Sequence, residues 1–253
     1  MRRIVFPLLF AILVIGPAVG AADDDSKAVL VKAIKAHGGK TALTKYKAIR
    51  SKTKGKIDIP GVGEVDFTQE TSMMQPDKFK EVMEMEIAGN KIEVVSMANG
   101  NKITIEAAGK DIAITDDIKT AIKEAQYMIM IKASRWTSLL EDKAYELSHL
   151  GEAKVEGKAS VGVRVSSKGQ KDLNFYFDKQ TGLLAKVERR ATDASTGKEY
   201  TEERIVSEYN KPNKLGVPSP KKVLVKRDGK KFMEAEVLET TSLEKIDDSE
   251  FKK

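Results

Sequence analysis

The sequence has no cysteine, only two histidines and one tryptophan in 253 residues. Without cysteine there is no disulfide, no thiolate ligand and no thiol to carry a lipid, so stability must come from an apolar core. His37 and His149 are the only imidazoles and neither is paired with acids at ligand spacing, which leaves little material for a metal centre or His-based catalysis. No Gly-x-Ser-x-Gly elbow accompanies His37-Gly38-Gly39, so that triplet reads as a helix C-cap. Gly61 and Gly63 lack the flanking strand and helix of a nucleotide fingerprint and read as turn residues. Basic residues form no stripe with aromatics, which excludes a duplex-binding surface, and the net charge of +6 is spread over lysines interleaved with glutamates. Neither internal repeats nor a low-complexity linker divides the chain.

Apolar runs are also scarce, with one exception at the N-terminus. Met1-Arg2-Arg3 is followed by an apolar run from Ile4 to Ile15, interrupted by Pro7, and by small residues from Pro17 to Ala22 ahead of Asp23-Asp24-Asp25. The run is short for a span of about 20 residues, so it reads as a cleaved secretory signal peptide over residues 1–21 rather than an anchor. The expected product is a soluble, non-lipidated periplasmic protein, with residues 22–253 as a single domain. A hydrophobic fraction of 41% supports a core and 32% charged residues a wet surface.

What the chain does have is alternation. Ala159, Val161, Val163 and Val165 alternate with polar residues, as do Leu173, Phe175 and Phe177, and Asp178 to Gly182 turns the chain into Leu183 to Arg190 before Lys198 to Tyr209. Four strands joined by such short loops predict an antiparallel meander. Earlier strands are expected over 49–59, 64–74, 78–88, 92–98 and 102–107, with Pro60 to Gly63, Gly89-Asn90 and Asn99-Gly100 as turns. Ala144 to Leu150 and a last hairpin around Asp228-Gly229 bring the total to about eleven. Ser26 to Ala36 predicts an amphipathic helix capped by Asp25 or Ser26, and Thr41 to Tyr46 a second short one. From Thr115 to Leu140 apolar residues recur at steps of three and four, as a long helix or a broken pair. Within it Tyr127 to Ile131 is apolar all round, a buried helix turn or, alternatively, a buried strand.

Catalytic chemistry is sparse: Glu84, Glu86, Glu202 and Glu203 sit among lysines and arginines and are expected to pair on wet faces. Apolar, adaptable surface is plentiful. Met73, Met74, Met83, Met85, Met97, Met128 and Met130 fall between the second strand and the helical segment, and with Tyr127 to Ile131 they predict a cavity between sheet and helix.

The first helix ending in His37-Gly38-Gly39, the meander, the helical insert, the hairpin Leu173-Asn174-Phe175-Tyr176-Phe177-Asp178 with Thr181-Gly182-Leu183-Leu184, and the tail Ile246 to Phe251 together resemble the outer-membrane lipoprotein-sorting superfamily of LolA, LolB and LppX-like lipid carriers. The resemblance implies a mainly β (α+β) fold, an unclosed antiparallel β-barrel of about eleven strands with a helical lid. It also implies a non-enzymatic, cofactor-free carrier of an acylated lipid or lipoprotein, a monomer passing cargo from an inner-membrane donor to an outer-membrane acceptor. Carriers of this kind use an arginine near the lid, which no motif assigns among Arg50, Arg135 and Arg164. The expected lipid-binding residues are Ile57, Val65, Phe67, Met83, Met85, Ile92, Ile103, Val163, Phe175 and Phe177 on strands, with Tyr127, Met128, Met130 and Trp136 from the lid. The competing reading is a structural or sensing domain whose half-barrel is filled by its own side chains.

Overall fold

The computed structural model describes residues 19–133 and 136–252. The expected signal peptide lies outside the described residues apart from its last three positions, and so does Arg135.

One antiparallel sheet runs through the molecule. In chain order its strands are β1 (Ala48–Ile59), β2 (Gly63–Met74), β3 (Lys78–Ile87), β4 (Asn90–Asn99), β5 (Lys102–Ala107), β6 (Lys110–Asp111), β7 (Tyr145–Val155), β8 (Lys158–Ser167), β9 (Leu173–Asp178), β10 (Leu184–Thr192), β11 (Glu199–Tyr209), β12 (Pro220–Arg227) and β13 (Lys230–Leu243). The count among the described residues is thirteen rather than about eleven, in part because two-residue β6 is too short for any periodicity to register. In space the order is β6-β5-β4-β3-β2-β1-β13-β12-β11-β10-β9-β8-β7, two meanders joined at the single seam β1·β13, with the sheet left unclosed.

Local chemistry sets the corners. Asp178-Lys-Gln-Thr-Gly182 and Asp193-Ala-Ser-Thr-Gly197 build the same turn: the Asp178 carboxylate accepts from the Gln180 and Thr181 amides at 3.0 and 2.7 Å, and Asp193 does the same for Ser195 and Thr196 at 3.0 and 2.9 Å. At the seam, a methyl group added to Gly55 would stand 2.0 Å from the Glu234 carbonyl oxygen. Only glycine admits this approach, three residues past a register shift between Lys52 and Thr53 that bends the strand.

Among the described residues three α-helices lie on the inner side of the sheet: α1 (Val19–Ala36), α2 (Gly39–Lys45) and α3 (Asp116–Ala133). The first starts earlier than expected, so Ser26 is a fully buried interior residue of α1 and neither it nor Asp25 is a cap. Leu30, Ala33 and Ile34 of α1 and Leu43 of α2 pack on Val163, Val165, Leu173, Phe175, Phe177 and Val187, closing the core over β8–β10. Tyr127 to Ile131 is helical; beyond α3, Trp136 has left-handed backbone at φ 63° and Ser138–Leu140 makes one 3-10 turn. The C-terminal tail crosses the outer face instead. Ile246 and Phe251 cover Ala48, Met74 and Met97, while Glu250 pairs with Arg50 and Ser72, and Asp248 with Lys78 at 2.8 Å. Met74 and Met97 therefore belong to this outer cluster and not to an inner cavity.

Candidate functional site

Register fixes the facing of each strand. Ile57 stands opposite Val65, Phe67 opposite Met85, Met85 opposite Ile92, and Ala98 opposite Ile103. Across the seam Ile57 faces Met233, and the same row continues through Val225, Arg204 and Val187 to Phe175 and Val163. Phe177, two residues along from Phe175, shares that side, so all ten strand candidates lie on the inner face of the sheet.

The inner face is used in two ways. Over β8–β10 it is packed solid: Val163, Phe175, Phe177, Met128 and Trp136 are at most 2% exposed, with the Trp136 ring 5.0 Å from Phe177 and 6.0 Å from Phe175, edge to face. Tyr127 packs against the same core; burial pushes its phenol up to about 12 and its hydroxyl has no partner among the described residues. On the β1–β5 wing Ile57, Met83, Met85, Ile92 and Ile103 are half-buried, as is Met130 on α3, and Val65 and Phe67 are buried.

Between the packed half and the wing lies a cavity of about 320 Å³. Its floor is the inner face of the central strands, with Ile49 of β1, Met73 of β2, Phe79 of β3, Val206 of β11, Val223 of β12 and Val237 of β13 supplying apolar wall. Its roof is Ile129 and Lys132 of α3, and Trp136 is the one residue of the fourteen candidates that borders it among the described residues. This explains why the middle of α3 is apolar all round: Met128 and Ile131 enter the core while Ile129 looks into the cavity. The helix is tied to the end of β10 and to the β2–β3 turn. Glu124 accepts from the Thr192 amide and hydroxyl at 2.8 and 3.0 Å and pairs with Lys171 at 2.7 Å, and the Gln126 side-chain amide donates to the Asp77 carbonyl at 2.6 Å.

One wall is charged. Glu202, expected on a wet face, is 3% exposed and receives the Nε donors of Arg189 and Arg204, each at 2.9 Å. Burial alone would raise its carboxyl, but the two guanidiniums outweigh burial and hold it at about 2. Arg204, Glu81 and Lys132 border the cavity directly. Glu81 accepts from the Gln69 side chain at 2.8 Å and is pushed up by burial. Lys132 makes no ion pair or hydrogen bond among the described residues, and burial, assisted by the Arg204 charge, lowers its ammonium from 10.5 to about 8. Of the arginines considered from sequence, Arg50 is held on the outer face by Glu250, and Arg164 donates to Asn174 at 3.0 Å on that same outer side. The arginine in the cavity is Arg204, which sequence reasoning missed. Its available signal was the Glu202-x-Arg204 pair on one row of a strand with meander neighbours on both sides. No group of three or more metal-ligating side chains occurs among the described residues.

Lys132 carries a stability prediction. Its folded value lies below its unfolded one, so the native state pays for the charge below pH 8, and the penalty fades as pH rises from about 8 through 10.5. At about 1.4 kcal/mol per unit, Lys132→Met is expected to stabilise the protein by about 2–3 kcal/mol at pH 7 and by little above pH 10.5. Urea unfolding at the two pH values reads this directly; a destabilised variant at pH 7 would contradict it.

No family model matches the chain, and no curated protein matches it. Solved structures do. A DUF1329 family protein from Desulfovibrio piger superposes with a TM-score of 0.56 at 12% identity, covering 90% of this chain and 97% of that one. A LolA superfamily protein from Nitrosomonas europaea gives 0.55 at 10% identity over 90% and 97%, and a putative outer membrane lipoprotein-sorting protein domain from Vibrio parahaemolyticus gives 0.50 at 10% over 91% and 97%. The chain has the LolA-like fold.

Proposed function

We propose that this protein is a non-enzymatic periplasmic carrier that shelters an acyl chain of a lipid or lipoprotein under α3, for transfer toward the outer membrane. The observation that carries the reading is the cavity itself: beside a core packed to completion, the same inner face leaves about 320 Å³ under a helix tethered by a few polar contacts. That lies at the lower end of the roughly 300–1,000 Å³ of ligand sites, or the space of about ten waters of about 30 Å³ each. One acyl chain fits it better than three. Burying ten methylenes at about 0.8 kcal/mol each contributes about 8 kcal/mol, near micromolar affinity before ordering costs. The apolar wing carrying Ile57, Met83, Met85, Ile92 and Ile103 extends the path for a longer chain. Release follows from lifting α3, and a donor at the inner membrane and an acceptor at the outer membrane are the partners this implies. The working form is a monomer whose signal peptide has been removed, and no helix among the described residues is long and apolar enough to cross a membrane.

The test is native mass spectrometry of protein purified without detergent, followed by organic extraction. The expected result is a stoichiometric acylated adduct. A clean apo mass together with failure to bind a fluorescent fatty-acyl probe would overturn the reading. That outcome would favour a structural half-barrel, the role to which the side-chain-filled β8–β10 half is already suited.

A further inference from the structure

The geometry points to a cargo with an anionic head: we infer that the cavity binds a single-chain amphiphile whose carboxylate or phosphate is received inside the protein by Lys132 and Arg204, with Trp136 Nε1 as a third donor. This rests on the carrier reading and specifies its ligand. A cavity meant only for hydrocarbon needs no charge in its wall, because an ion taken out of water is stabilised only by partners. Here donors outnumber acceptors. Lys132 offers three N–H groups with no partner among the described residues. Arg204 uses Nε and one terminal nitrogen on Glu202, leaving further N–H groups for another acceptor. The Trp136 indole N–H, in a residue 2% exposed, has no partner among the described residues. Against them stand Glu202, committed to two arginines, and Glu81, engaged by Gln69. Three cations, Lys132, Arg189 and Arg204, thus face two acids, which leaves room for one more negative charge. Ile129, Phe79 and Met73 border the same cavity, so a head at this wall leaves its chain against apolar surface.

The experiment titrates the full chain with four dodecyl amphiphiles, dodecanoate, dodecyl phosphate, dodecanol and dodecylammonium, by calorimetry at pH 7. Both anions are expected to bind at least tenfold tighter than dodecanol. Lys132→Gln, which removes no internal ion pair, should cut that advantage to under threefold while dodecanol affinity stays unchanged. A melting curve reports that the variant is folded. Tighter binding of the phosphate than the carboxylate would support a phospholipid-derived head, and the reverse a free fatty acid. Equal affinity for dodecanol and the anions, or preference for dodecylammonium, overturns the anionic-head inference and leaves the carrier reading standing. If none of the four binds, the carrier reading fails and this inference with it.

Discussion

Glu202→Gln is expected to destabilise the protein by about 3–5 kcal/mol, because it removes the carboxylate that the Arg189 and Arg204 guanidiniums share in a buried site. Arg189 is 7% exposed, so solvent offsets little of the loss. The same group makes an acid-limb prediction. A carboxyl held at about 2 against an ordinary 4.5 contributes stability that is fully present above pH 4.5 and is lost as pH falls through 2, about 3 kcal/mol in all. Urea unfolding of the native protein between pH 5 and 2 should show that fall, and the variant should lack that part of it. A variant as stable as the native protein at pH 7 would mean that the charged wall is not held as a unit.

Trp136→Ala is expected to lose a further class of stability, about 3–5 kcal/mol, for the reason that governs large-to-small changes in packed cores. Its ring stands between the core and the cavity, 4.8 Å from His37 on one side and 5.0 Å from Phe177 on the other. Trp136→Phe separates packing from polarity: it keeps an aromatic ring and removes an indole N–H that no described residue accepts, so its cost should be well below that of the alanine change. Thermal or urea unfolding of the pair checks this; equal losses in the two variants would assign the N–H a structural role.

Much of this architecture was legible in the amino-acid order, for identifiable reasons. Asn99-Gly100, Asp228-Gly229 and the two Asp-x-x-Thr-Gly turns have few alternative conformations, so they fixed where strands reverse. Rows such as Ile57, Val65 and Met85 alternate cleanly, so their shared facing followed from period alone. The division of that inner face into a packed half and a hollow half was not legible, because Val163 and Ile57 look alike in sequence and differ only in whether α1 lies over them. The charged wall was hidden for another reason. On β11 one row reads Tyr200, Glu202, Arg204, Val206 and the other Thr201, Glu203, Ile205, Ser207, and with neither row apolar, parity could not say which carboxylate enters the protein. Glu203, next door, does what was expected of both and pairs with Lys186 at 2.9 Å.

The seam between the two meanders also says how the chain avoids misassembly while it is being made. β1 is among the first strands to emerge and its partner β13 the last, so β1 must wait with an unpaired edge. Its outer row is Arg50, Lys52, Lys54 and Lys56, and β13 answers with Glu239, Glu236 and Glu234 opposite the three lysines. Two newly made copies would present lysine to lysine if their first strands tried to zip together, and repel. The late strand is the one suitor of matching sign on that side, so the charge code that sets the final register also guards the interval before it can form.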